Sequence, residues 1–373
     1  MGDLSVDTDE LSIQENILIV GAGAIGRGFL APYFVKRGFT IHFIDVAPEL
    51  VLKFADRTYP IYESAIALED GYVMQQIPFA KCHLMAEASI SLPTMHYIFF
   101  CVGVRELRGA AQIVHENLSD GNSLKAVYSV ENDLGSVDVL RTIFSDQQSV
   151  YFGVPDVITS STAPEELRKI DPLCVASEVG ELFLQGPYLK SETETYTDAY
   201  VTTHWICKKY LHNTPHAAIA YLGVEKDYEF IHQATADADI YPVVLRLMES
   251  IRYLLHEEYG ISMDFLSAYL DKEMKRFRNP RLFDPISRVA RNPELKLQRD
   301  ERIIHVANLL RASGRSTVDI ARVIGAAFNY DLCDQFNDLK SRESESELLE
   351  KICGIEEHSV LGQQVLAGIK ILS

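Results

Sequence analysis

At 373 residues the chain is longer than one ordinary hydrophobic core organises, so two domains are expected. Hydrophobic residues make up 47% of it, enough for sizeable cores, yet no apolar run reaches the length of a membrane span. A formal charge of −18 argues against nucleic acid as the main partner.

Met1 to Glu15 carries five acids and no basic residue, which reads as a loose leader and not as a signal or transit peptide. Ile17-Leu18-Ile19-Val20 then reads as a buried parallel strand. Gly21, Gly23 and Gly26 complete a GxGxxG turn behind it, which with Ala24 and Ile25 would face the cofactor, and a helix is expected from about Ile25 to Lys36. The first glycine permits the tight turn and the second admits a pyrophosphate to the backbone. The third lets the helix pack on the strand, and the helix N-terminus supplies the anion site. Phe39 to Ile44 is the second strand, and Asp45 closes it. An acid there binds ribose hydroxyls and repels a 2′-phosphate, so NAD is the expected cofactor.

Tyr97 to Gly103 is a further strand, whose end at Val102 and Gly103 lies where a dinucleotide would pass. The strand Leu124 to Val130 is followed by Asn132, which is either a ligand-side amide or a turn residue. Ser149 to Val154 and Cys174 to Val179 read as two more strands. From about Tyr200 the pattern turns helical, with long amphipathic stretches. The expected fold class is therefore α/β. A Rossmann-type parallel-sheet domain over 1–200 precedes a mostly α-helical substrate domain over 201–373.

Lys208, Asn213 and His216 cluster just past that join. An amine that can lose its proton, an amide and an imidazole suffice to deprotonate an alcohol and hold its oxyanion. Each also has a plain structural role open to it: surface lysine, helix cap, core histidine. Pro215 suits the first turn of a helix, so a helix beginning there with Thr214 as its cap is expected. From Lys272 to Arg302, ten basic and five acidic residues make a local excess of positive charge, either a solvated helical face or a wall for an anionic ligand. Six cysteines are scattered without metal-like spacing, which points to reduced thiols in the cytoplasm and no metal site.

Gly21-Ala22-Gly23-Ala24-Ile25-Gly26-Arg27-Gly28-Phe29, the K-x4-N-x2-H spacing of Lys208, Asn213 and His216, and Arg278-Asn279-Pro280 resemble the polyol-specific long-chain dehydrogenases, the mannitol dehydrogenase family. The likeness runs from the first strand to about Arg302. It implies a metal-independent, NAD-dependent oxidoreductase of polyol metabolism acting on a small-molecule polyol, sugar acid or sugar phosphate. Lys208 is then the general acid/base, Asn132 and Asn213 hold the reacting oxygen, and His216 touches the substrate. Asp156 falls where the family has an acid near the substrate, and Arg288 and Lys296 resemble its pocket cations. Chain length and Asn213-Thr214-Pro215-His216-Ala217 resemble the branch acting on mannitol 1-phosphate and fructose 6-phosphate. Hexuronate reduction and mannitol 2-dehydrogenase activity are alternatives within the family, and a non-catalytic NAD(H) sensor is one outside it. Pro215 replaces a glycine of the family, Val157 an arginine, and Pro155 precedes the acid unexpectedly.

Overall fold

The computed structural model describes residues 15–86, 92–118, 123–144, 149–186 and 196–370. In chain order the strands are β1 (Asn16–Val20), β2 (Thr40–Asp45), β3 (Ile61–Ala67), β4 (Tyr72–Pro78) and β5 (Lys81–Leu84). They continue with β6 (Tyr97–Phe100), β7 (Ala126–Ser129), β8 (Ser149–Asp156), β9 (Ala176–Ser177) and β10 (Glu181–Leu184). Seven form one sheet in the order β10-β8-β7-β6-β1-β2-β5. All its pairings are parallel except that of β10 with β8.

The near-continuous apolar character of β1 follows from its central place in that order. Ile17 and Ile19 face one hydrophobic core, Leu18 and Val20 face another on the opposite side, and all four are fully buried. At about 1.5–3 kcal/mol for each aliphatic side chain removed from water, this strand anchors both layers. β2 lies on one side of β1 and β6 on the other, so the order in which strands are added reverses where β1 adjoins β6. That switch point is where α/β sheets hold ligands.

Four strands were not expected, and of these β5 and β10 form the two edges of the main sheet. β3 and β4 form an antiparallel hairpin that enters a separate three-stranded sheet, ordered β4-β3-β9. The apolar run Cys174 to Val179 therefore supplies only the two-residue β9, paired with β3 and not with the main sheet.

From Asp198 onward the described residues are helical or irregular, packed round a separate core. Its long elements include Ile240–Tyr259, ended by Gly260 at φ +66, and Met263–Arg278, capped by Ser262, whose hydroxyl accepts the Phe265 N–H. No helix among the described residues is long and apolar enough to cross a membrane.

The join between the two parts differs from expectation. The chain is helical without a break from Asp198 to Val224, passing through a π-helical turn at Lys208–His212. Pro215 lies inside this helix and does not start it, and the Thr214 hydroxyl donates to the Arg302 carbonyl instead of capping. Proline offers no N–H to the preceding turn and its ring crowds the carbonyl of residue i−4. Widening the turn in front of it to the π register, where the Asn213 N–H donates to the Lys208 carbonyl, accommodates that defect. Burial of Ala217 to Leu222 holds the helix together on the far side.

Candidate active site

The carboxyl ends of β1, β6, β7 and β8 open into one cleft, closed on its other side by the helix carrying Lys208. Its inner lobe, about 500 Å³, is lined by Gly23, Ala24, Ile25, Val102, Gly103 and Asn132 from the sheet side. Lys208, His212, Asn213, His216, Arg288 and Arg291 line it from the helical side. An outer lobe of about 540 Å³ shares several of these residues and extends to Arg105, Lys296 and Arg302.

The glycine-rich turn is shaped by contact. Gly21 sits at φ +101, where a side chain is strained, and a Cβ there would come within 2.7 Å of the Cys101 carbonyl oxygen. A Cβ on Gly26 would lie 2.1 Å from the Gly21 carbonyl oxygen, whereas one on Gly23 would meet nothing within 4 Å. Gly23 thus faces open space at the start of a helix that begins at Ala24. Asp45, half-buried at the end of β2, accepts hydrogen bonds from the Ala22 N–H at 2.7 Å and the Ala47 N–H at 2.9 Å. It braces the turn and does not line either lobe.

Across the cleft Val102 and Gly103 follow β6, and both give their N–H groups to one oxygen of Glu131, at 2.7 and 2.9 Å. Glu131 is buried, which raises its pKa to about 7 against the pull of those N–H groups and of Lys208. Its neighbour Asn132 is exposed in both lobes.

Lys208 is 7% exposed. Its Nζ donates to the Pro155 carbonyl oxygen at 2.5 Å. Burial lowers its pKa to about 8, with Asp156 opposing the shift and Arg276 adding to it. Asn213 stands beside the π turn, and its Nδ2 is buried without a hydrogen-bond partner. Buried amide donors are almost always satisfied, so an orphan in a cleft wall marks a place where an acceptor belongs. His216 gives its Nε2–H to Asp284 at 2.8 Å, and Asp284 in turn accepts from Arg288 at 2.6 and 2.8 Å. Burial lowers the His216 pKa, while Arg288 and His216 outweigh burial at Asp284 and hold that carboxyl down at about 2. The hydrogen bond therefore has a defined direction, from the ring N–H to the carboxylate.

Asp156 is placed differently from the other candidates. It is 2% exposed, lies outside both lobes, and is held by Lys272 at 2.5 Å and Arg276 at 2.6 Å. Burial would raise its pKa, but these two cations prevail and hold the carboxyl well below the usual carboxylate range. The cleft thus brings together Lys208, Asn213, Asn132, His216, Arg288 and Lys296 with the Gly23 and Gly103 turns, and leaves Asp156 behind it. Lys296 donates a hydrogen bond to the Arg291 carbonyl, and burial together with Arg302 and Arg291 lowers its pKa to about 7.

Glu131 and His212, which line the cleft, and Asp284, which holds His216 but lines neither lobe, were not singled out by sequence. Glu131 adjoins Asn132 and could have been weighed with it. His212 lies within the Lys208 to His216 stretch. Asp284 carries only the weak signal of standing four residues before Arg288.

A parallel sheet with a glycine-rich turn at its switch point, facing a Lys-Asn-His helix across one cleft, defines a two-domain protein of dehydrogenase architecture. Residues 201–354 match the model of the mannitol dehydrogenase C-terminal domain. The chain is 28% identical to mannitol-1-phosphate 5-dehydrogenase of Thermoanaerobacter pseudethanolicus, covering 94% of this chain and 96% of that one. It is 29% identical to the protein of the same name from Exiguobacterium sibiricum, over 93% and 95% of the two chains. Its fold is that of Pseudomonas fluorescens mannitol 2-dehydrogenase, solved as a ternary complex with NAD and D-mannitol. That match has a TM-score of 0.74 at 16% identity and covers 96% of this chain and 91% of the other. A substrate-free D-sorbitol dehydrogenase matches with a TM-score of 0.73 at 16% identity, over 96% and 93%. Residues 201–354 thus form a mannitol dehydrogenase C-terminal domain, and the chain as a whole is similar to these polyol dehydrogenases.

Proposed function

We propose that this protein is an NAD-dependent, metal-independent polyol dehydrogenase that interconverts a hexitol phosphate and a ketose phosphate. Mannitol 1-phosphate and fructose 6-phosphate are the pair in view. The observation that carries the reading is Lys208, buried in the cleft wall with its pKa lowered to about 8, beside an Asn213 amide that has no partner. A base and a free donor set side by side are what an alcohol needs in order to lose its proton. The names of the curated relatives support the phosphorylated substrate.

The turn fits a dinucleotide. Open space beside Gly23 and the helix N-terminus behind it suit a pyrophosphate, and Asp45 stands at the strand end where a ribose would lie. When bound, NAD takes up the hydride from the alcohol carbon, which no side chain here can do.

In oxidation, neutral Lys208 removes the hydroxyl proton and becomes an ammonium that still donates to the Pro155 carbonyl. The developing alkoxide accepts hydrogen bonds from Asn213 and Asn132, each about 3 kcal/mol of transition-state stabilisation in comparable oxyanion sites. In reduction the same ammonium returns the proton. His216, fixed by Asp284, contacts a substrate hydroxyl. The outer lobe, with Arg288, Arg291, Lys296 and Arg302, is a cationic wall for the phosphate in a chain of net charge −18. The six cysteines are free, in keeping with a cytoplasmic enzyme.

The test is NADH oxidation with fructose 6-phosphate, fructose, tagaturonate and fructuronate. Turnover confined to fructose 6-phosphate supports the reading. Turnover with a hexuronate transfers the outer lobe to a carboxylate, and NADH binding without any turnover favours a sensor.

A further inference from the structure

Next to Lys208 stands a second imidazole that the proposed chemistry does not use. His212 ends the π-helical turn and lines the inner lobe. Its Nδ1 is hydrogen-bonded to Oε2 of Glu273, a fully buried residue on the helix Met263–Arg278. The other Glu273 oxygen accepts from Arg276 at 2.7 Å. Burial would raise the Glu273 pKa, but His212 and Arg276 outweigh it and keep the group ionised. A carboxylate only accepts, so the proton in the shared hydrogen bond belongs to His212 Nδ1.

That assignment fixes the tautomer. With Nδ1 engaged as the donor to the carboxylate, Nε2 is the ring atom left to meet the cleft, and in the singly protonated ring it is an acceptor. Nε2 has no protein partner among the described residues, and it is not one of the buried unpartnered atoms either, so it is reached from the cleft. The ring packs into a cluster with Phe277 and His216, at 5.4 and 5.1 Å between centroids. The Asn213 Nδ2 and the Arg288 guanidinium bring hydrogen-bond donors to the same wall. His212 brings an acceptor.

We propose that His212, oriented by Glu273, is a substrate-binding residue that accepts a hydrogen bond from a polyol hydroxyl near the reacting carbon. It thereby sets which configuration is taken at that hydroxyl. The inference rests on the polyol reading above. A site built around one hydroxyl rejects an epimer that points it elsewhere, because Nε2 is then left unpaired.

Two readouts test it. The first is kcat/KM for reduction of fructose 6-phosphate, of its C4 epimer tagatose 6-phosphate and of its C3 epimer allulose 6-phosphate. In His212→Leu the preference for fructose 6-phosphate over at least one epimer should fall about tenfold or more. His212→Gln, whose amide can donate to Glu273 and present its oxygen to the cleft, should keep most of that preference. Glu273→Gln, which can offer Nδ1 an N–H and so move the ring proton to Nε2, should lose it. A merely structural role would lower all three substrates together, and an unchanged ratio in folded His212→Leu would overturn the proposal. The second readout is the ring tautomer of His212 from its nitrogen chemical shifts, which needs no turnover. The Nδ1–H form supports the assignment and the Nε2–H form refutes it. Absence of wild-type turnover with every ketose phosphate would instead count against the function proposed above, leaving the tautomer to decide this one.

Discussion

Lys208 and Pro155 meet across the boundary between the sheet and the helices, the Nζ of one donating to the carbonyl oxygen of the other at 2.5 Å. The residue after Pro155 is Asp156, and Arg276 grips it twice, through the carboxylate at 2.6 Å and the backbone carbonyl at 3.2 Å. Arg276 also pairs with Glu178, whose carboxylate accepts the Ile158 N–H at 2.7 Å. The strand end that receives the lysine is therefore clamped from behind by one guanidinium.

Removing that guanidinium leaves three acids partly or wholly unpaired. Arg276→Met should cost about 3–5 kcal/mol, the usual penalty for breaking a buried ion network from one side. Lys272→Met, at a position more than a third exposed, should cost about 1 kcal/mol or less. Urea unfolding of the two variants compares them, and equal losses would mean that Arg276 is no clamp.

Lys208 itself destabilises the fold at neutral pH. An unfolded lysine keeps its proton to about pH 10.4, whereas the buried one keeps it only to about 8. Below 8 both states are charged and the folded one bears the whole desolvation cost, roughly 3 kcal/mol at 1.36 kcal/mol per unit. Between the two values the unfolded chain holds the extra proton, so stability rises with pH through that window. Lys208→Met should accordingly raise the unfolding midpoint at pH 7, with the gain shrinking toward pH 10. A gain independent of pH would show that packing, not charge, is responsible.

Gly23 and Gly26 should separate binding from folding. Gly26→Ala drives a Cβ into the Gly21 carbonyl and should lower the melting temperature sharply. Gly23→Ala meets no protein atom, so it should leave the melting temperature of the free protein within a degree or two. It should weaken NADH binding about tenfold or more, because the methyl fills pyrophosphate space. Thermal unfolding and NADH fluorescence titration of both variants make the comparison.

The parts of this molecule that local chemistry dictates were legible in its sequence. The strand Asn16–Val20, the turn after it and the acid at Asp45 are contiguous, and each residue's role follows from its neighbours. The hairpin β3–β4 had one usable signal, Asp70-Gly71 at its turn, but its strands mix polar and apolar residues without clean alternation. The π turn could not be read, since proline usually opens a helix and only the buried stretch beyond Pro215 forces the helix to continue through it. Asp156 illustrates a different limit. Its sequence neighbourhood sets it near the cleft, but its partners Lys272 and Arg276 lie more than a hundred residues away, and they draw the carboxylate to the rear.

Arg288 holds Asp284, which orients His216, and also faces the outer lobe. Arg288→Ala should raise KM for fructose 6-phosphate by about tenfold or more, with a smaller effect on kcat, through loss of one charge-assisted contact worth roughly 1.5–3 kcal/mol. Steady-state kinetics show the split. A fall in kcat alone would place the residue's influence on His216 and not on the phosphate.

The most direct test of Lys208 as the proton-transfer group is single-turnover reduction of fructose 6-phosphate by bound NADH, in the wild type and in Lys208→Ala. Removal of the acid should slow hydride transfer by about 10²–10⁴ while NADH affinity changes little. The wild-type rate should fall as pH rises through about 8, where the lysine loses its proton, and the variant should show no such step. Hydride transfer at the wild-type rate in Lys208→Ala, with the same pH dependence, would contradict the account.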